Sequence, residues 1–364
     1  MSQELAEADA PTRSIADIVA RDLRPLVRRI DEEGLYPEAV LRSLGDAGGF
    51  ARHISRPEGD ASGLVSAIEA MADVSASCIT TGFCMWCQDA LGWYLTQSEN
   101  PTPRTRYLVA VASGEQLGGT GLSNAMKAFS GIEPLALKGR KVAGGYRVTG
   151  RLPFVSNVQD GHLFAAVFAL EDEPDRRVMA VFHAGSDAVA LARNAHFVAL
   201  EGSATYTVLI RDAFVSDDDI LSHDADRFIP RIRKGFVLLQ AGMGIGAARG
   251  AAASMRGDGP GRKLAAHLPF GPDEIDARAD RLAERIRALA SDPQLTDRSA
   301  FLDVLKARLD LSWLALEAAQ SAVLQAGARG YLVGAEAARR LRETQFVALV
   351  TPSVKHILAE LSRG

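Results

Sequence analysis

Apolar positions recur at helical spacing through the first third of the chain. Ile18, Leu23, Leu26, Val27 and Ile30 predict an amphipathic helix over 17–30. Tyr36-Pro37 opens a second helix that carries Val40, Leu41 and Leu44 on one face and stops at Gly48-Gly49. A third covers 64–76. The stretch 78–95 is apolar nearly all round, the pattern of a buried central helix. After about residue 115 the period shortens. The segments 146–149, 164–170, 178–182, 189–191 and 205–210 are short, rich in β-branched and aromatic residues, and separated by Asp, Gly and Pro. Gly144-Gly145 reads as a hairpin turn between two strands. This part predicts an antiparallel barrel or sandwich.

Helical spacing then returns. The stretch 228–255 reads as one long apolar helix, with Gly242, Gly244, Gly246 and Gly250 suited to close helix–helix contact, and Gly257-Asp-Gly-Pro-Gly261 breaks it. The segment 273–290 is amphipathic and charged; 299–328, 336–349 and 354–361 complete the chain. There is no internal repeat. The expected fold class is α+β in three domains: an N-terminal helical domain over 1–114, a central β domain over 115–222 on the cofactor side, and a C-terminal helical bundle over 223–364.

Composition narrows the function classes. The chain has 364 residues, 47% hydrophobic and 24% charged, with a formal net charge of −4. That is a globular composition, not that of a disordered tail, a collagen or a disulfide scaffold. Without a basic excess, nucleic acid is not an expected partner. No apolar run is read as a membrane span, and the polar, acidic start MSQELAEADAPTRS is not a signal peptide. Three Cys, an odd number, fit a reducing cytoplasm. Cys84-x-x-Cys87 lies within an apolar helix and reads as two packing thiols, with no second pair for a metal.

Candidate chemistry comes from five segments in order. Tyr36-Pro37 leads to Leu44-Gly45-Asp46-Ala47-Gly48. Gly119-Thr-Gly-Leu-Ser123-Asn124 follows. Then comes the hairpin Gly144-Gly-Tyr146-Arg-Val-Thr-Gly150-Arg-Leu-Pro-Phe154-Val-Ser156-Asn157. Leu200-Glu-Gly-Ser203-Ala-Thr205 runs on to Val215. Gly327-Ala-Arg-Gly330-Tyr331 precedes Arg342-Glu343. Together they resemble the acyl-CoA dehydrogenase superfamily of flavoproteins, over nearly the whole chain. The resemblance implies an FAD, with FMN as the alternative, held between the β domain and the C-terminal helices.

It places Leu122, Ser123, Phe154, Val155, Ser156 and Ser353 against the flavin. Phe154 stands for the family's ring-stacking Trp, Ser156 for a Thr hydroxyl at N5, and Ser123 for a Thr hydroxyl at the pyrimidine end. Arg262, Gly327 and Gly330 fall where the family binds the phosphates, although the Phe of its Arg-x-x-Phe-Gly pattern is missing after Arg262. A homodimer or homotetramer is implied as well, and the Gly-rich stretch 242–250 is read as more apolar surface than one subunit leaves exposed.

The sequence departs from the family at the catalytic base. A Glu nine residues after the Arg of Arg-Asp removes the substrate's α-proton in those enzymes; here that position is Thr351, and the alternative location near Phe236 has no carboxylate either. Threonine does not act as a base near pH 7. Three readings remain. The first is a flavin oxidoreductase with a relocated base, His356 or His196, acting on an acyl thioester or similar molecule and passing electrons to an electron-transfer flavoprotein. The second is a monooxygenase using oxygen and reduced flavin from a separate reductase, with Phe83, Trp86 and Trp93 lining a dry pocket. The third is a non-catalytic partner of an active paralogue.

Overall fold

A computed structural model describes residues 13–54, 62–256, 262–291 and 297–363. The Ser14 side chain caps α1 (Ile15–Ile18) by accepting from the Asp17 N–H. A π turn and a 3-10 turn then lead into α2 (Val27–Glu32); Pro25, which has no N–H to donate, lies where the regular ladder is interrupted. α3 (Glu38–Asp46), α4 (Ser62–Ser77), α5 (Ile79–Gln97) and α6 (Pro101–Ser113) follow. α5 is buried along almost its whole length, as its all-round apolar pattern requires.

The strands are β1 (Gly118–Thr120), β2 (Leu137–Val142), β3 (Gly145–Val155), β4 (Leu163–Leu170), β5 (Arg177–His183), β6 (Val189–Ala192), β7 (Tyr206–Ser216) and β8 (Ile220–Ser222), with α7 (Leu122–Phe129) between β1 and β2. They form one sheet in the order β6-β7-β3-β2-β4-β5-β8, and β1 pairs with β4 off this path. β2 and β3 make the expected hairpin, its turn at Gly144 with φ +76°. Two pairings, β1 with β4 and β2 with β4, are parallel, so the sheet is mixed where the sequence suggested a purely antiparallel one. One face of the sheet carries its own core around Tyr146, Phe164 and Phe168.

The C-terminal part comprises α8 (Ala225–Leu239), α9 (Ala241–Met255), α10 (Arg262–Ala265), α11 (Pro272–Leu289), α12 (Arg298–Ala326), α13 (Glu336–Leu349) and α14 (Val354–Leu361). The single helix expected over 228–255 is interrupted at Gln240, a fully buried residue whose side chain bonds to other segments; the proposed break at 257–261 lies outside the described residues. By length and composition, Ala225–Met255 is apolar enough to cross a membrane, contrary to the sequence reading, but 89% of its most apolar window is buried inside the fold.

The glycine stripe of α9 also has an internal explanation. A Cβ on Gly242, Gly246 or Gly250 would come within 2.7, 2.4 and 2.4 Å of the carbonyl oxygens of Ile68, Ala72 and Ala76. Both series advance by four residues, so one face of α9 lies directly on the backbone of α4. The stripe is therefore spent within the subunit and does not mark a subunit interface. Gly246→Ala forces these helices apart. We expect a loss of about 1–3 kcal/mol in chemical denaturation; an unchanged midpoint would contradict the contact.

Candidate functional site

The site is assembled where β1, the end of β3 and a 3-10 turn (Glu201–Ser203) meet. Asn157 ties the three together. It is fully buried with φ +59°. Its Nδ2 donates to the Gly118 carbonyl (2.6 Å), its backbone N–H donates to the Ser203 carbonyl (2.9 Å), and its Oδ1 accepts from the Tyr36 hydroxyl (2.7 Å). Thr120 and Ser156 then bridge as an antiparallel pair. The approach is close enough that a Cβ on Gly119 would lie 2.0 Å from the Ser156 carbonyl oxygen, so only glycine fits.

The cavity over this junction has a volume of about 340 Å³. Two groups of hydroxyls line it. Ser203 and Thr205 are 2.7 Å apart, and Thr205 donates to Ser156 at 2.7 Å. Ser123, on the first turn of α7, is 2.8 Å from Thr351, which follows α13. Gly121, at the N-cap of α7, has no side chain to cap it, and the Leu122 N–H is taken by the Thr120 hydroxyl at 3.2 Å. Thr351 is held from behind: Gln240 Nε2 donates to its carbonyl (2.8 Å), and Arg308 Nε donates to Gln240 Oε1 (2.9 Å). Arg308 is only 1% exposed and also donates to Ser312 Oγ and the Val347 carbonyl. Burial lowers its pKa to about 10, which leaves it charged at neutral pH.

The remaining wall is apolar and largely aromatic, with Phe83, Trp86, Phe236 and Phe346 prominent. Phe154 is 56% exposed, with its ring edge-on to Phe197 at 5.8 Å. Among the described lining residues there is no Asp, Glu, His, Lys or Arg. The one ionisable group, the Cys87 thiol, is fully buried, which raises its pKa well above the ordinary value.

Ser123, Phe154, Ser156 and Thr351, distant in sequence, thus come together in one cavity. Phe83 and Trp86 join them, but Trp93 does not. Leu122 and Val155 are buried in packing cores rather than lining it. Ser353 is the N-cap residue of α14 and Arg262 the first residue of α10. Gly327 and Gly330 form the turn ending α12; Gly330 is packed against Ala326 and Ala337, a fit that accounts for its missing side chain. His356 bonds to Ser130, and His196 lies at the surface beside Glu201. Neither lines the cavity. Thr205, Gln240 and Arg308 were not anticipated; the signal for Gln240 is a polar residue inside an otherwise apolar helical stretch, whereas Arg308 stands among Asp303, Lys306 and Asp310 and has no such signal.

The N-terminal part, residues 6–115, matches the family model of the acyl-CoA dehydrogenase N-terminal domain. That match covers less than a third of the chain and makes its N-terminal part similar to this domain. The acyl-CoA dehydrogenase fold extends over its whole length. The butyryl-CoA dehydrogenase of Megasphaera elsdenii superposes with a TM-score of 0.83 at 17% identity, covering 100% of this chain and 99% of that one. A glutaryl-CoA dehydrogenase from Mycobacterium smegmatis in complex with FADH2 gives 0.72 at 12% identity, covering 96% and 92%. KijD3, in complex with FMN and a dTDP-linked amino-keto sugar, gives 0.77 at 18%, covering 97% and 93%. No curated protein matches the sequence significantly. The same fold thus accommodates proteins with different ligands, and the residues of this cavity must carry the functional argument.

Proposed function

We propose that the chain is a flavin-dependent oxidoreductase that uses dioxygen, a monooxygenase of the acyl-CoA dehydrogenase fold, acting on a small organic substrate. The observation that carries this reading is a cavity with hydroxyls and aromatic rings and, among its described lining residues, no carboxylate, imidazole or amine. Removal of an α-proton from a thioester needs such a base within hydrogen-bond reach. The two histidines considered for a relocated base lie elsewhere. Oxygen chemistry instead needs a cavity that excludes water and fixes the reactants.

The donor set suits a flavin ring, which needs an apolar wall and hydrogen bonds at its heteroatoms. Ser123, on the first turn of α7, would hold the pyrimidine edge, and Ser156, oriented by Thr205, would bond near N5. Phe154, more than half exposed, stands at the same cavity. A bound reduced flavin supplies two electrons and the centre that reacts with dioxygen; with two protons, R–H and O₂ then give R–OH and water. FAD is the proposed form, with FMN as the alternative. A separate flavin reductase is the proposed partner. We also propose a homo-oligomer, supported by exposed Tyr331, Leu332 and Val333 beyond α12.

Anaerobic mixing with butyryl-CoA tests the reading. Flavin-loaded protein keeps its oxidised spectrum, because nothing in the cavity removes the α-proton. Rapid bleaching would overturn the proposal in favour of the dehydrogenase.

A further inference from the structure

The aromatic end of the cavity is built from three separate helices. Phe83 and Trp86, three residues apart on α5, place their rings side by side, with centroids 5.7 Å apart and planes at 14°. Phe346 of α13 meets Phe83 at 4.4 Å and 62°, and Phe236 of α8 meets Trp86 at 5.0 Å and 61°. The Trp86 indole N–H, its only donor, is taken by the Phe236 carbonyl at 3.3 Å. This end therefore offers ring faces and edges already fixed by packing, with no free side-chain donor among the four rings.

We infer that this end receives an uncharged, planar aromatic substrate group of about the size of an indole; the inference rests on the oxygen-using reading above. Three considerations carry it. A carboxylate or ammonium brought here would be desolvated without a partner, at a cost of several kcal/mol. Aromatic pairs gain about 0.5–1.5 kcal/mol beyond the area they bury, in the offset and edge-on arrangements these four rings already adopt. A rigid ring also surrenders less rotational freedom than a linear acyl chain of equal size. The cavity, about 340 Å³ in all, is shared with the flavin ring proposed above, so only the reacting end of a ligand enters and any charged tail stays outside.

Calorimetric titration of the flavin-loaded protein tests the assignment, with three probes: indole, the linear uncharged hexanamide, and indole-3-carboxylate. Indole binds more tightly than either comparator by about tenfold or more. Phe346→Ala, at a half-buried position that tolerates truncation, weakens indole by about two- to tenfold, the equivalent of one aromatic contact. Trp86→Phe, which keeps a ring but changes its size, lowers the preference for indole over hexanamide and serves if the alanine variant does not fold. Equal binding of hexanamide or indole-3-carboxylate, or an unchanged indole affinity in the folded variant, overturns the proposal while leaving the flavin reading intact. A wild-type protein that takes up no flavin, measured in the same samples, overturns that reading and the proposal with it.

Discussion

Arg308→Ala lowers stability by about 3–5 kcal/mol and loosens the cavity floor. Arg308 has no carboxylate partner among its hydrogen bonds; it donates to Gln240 Oε1, Ser312 Oγ and the Val347 carbonyl in the interior. Truncation orphans these acceptors, at about 1–3 kcal/mol for each one left buried and unpaired. It also opens a hole the size of a guanidinium and its stem. Against this stands relief of a buried charge: the lowered pKa marks a desolvation cost of a few kcal/mol. The orphaned acceptors and the cavity together exceed that relief, so the sign is destabilising. Gln240, freed from Arg308, holds the Thr351 carbonyl less firmly. Flavin retention therefore falls along with the denaturation midpoint. Arg308→Lys keeps the charge but not the fork, and recovers only part of the loss. A variant as stable as the wild type would show that the relay is incidental.

Gly119→Ala produces the largest loss of cofactor for the smallest chemical change. The added methyl would sit 2.0 Å from the Ser156 carbonyl oxygen, so β1 and the end of β3 must separate. The Asn157 side chain, bonded to the Gly118 carbonyl of β1, resists that separation. The resulting strain of about 1–3 kcal/mol falls on the segment that positions Ser156. At 1.4 kcal/mol per decade, flavin affinity drops between about fivefold and a little over a hundredfold. Fluorescence titration of the variant with FAD and FMN measures this directly. Wild-type affinity would mean that the β1–β3 junction does not form the flavin site.

Much of the fold was readable because its signals are local. Helical spacing in 17–30, 64–76 and 78–95 comes from faces that pack against one another, and Gly144 marks a turn that needs positive φ. The parallel pairings of β4 were not readable, because partners such as Gly119 and Phe164 are set by tertiary packing rather than by a neighbouring turn. In the site, Phe154 and Ser156 are two residues apart on β3 and its continuation, so both reach the cavity, while Val155 between them points to the opposite face and enters the sheet core. A list of consecutive residues cannot make that distinction until the strand's facing is known. Thr205 and Arg308 act through contacts 49 and 68 residues away, with Ser156 and Gln240. Nothing near them in the chain announces those partners. The glycine stripe 242–250 was legible as a close contact, but not which helix it touches; α4 lies more than 160 residues earlier.

The most direct test of the account is equilibrium titration of the purified protein with oxidised and with reduced flavin, read by flavin fluorescence and absorbance. The account predicts saturable binding at one site per chain, weakened by Phe154→Ala and by Gly119→Ala. It also predicts that the bound reduced form consumes dioxygen, while the bound oxidised form is not bleached by butyryl-CoA. Binding of neither form, or binding that ignores both substitutions, would contradict it.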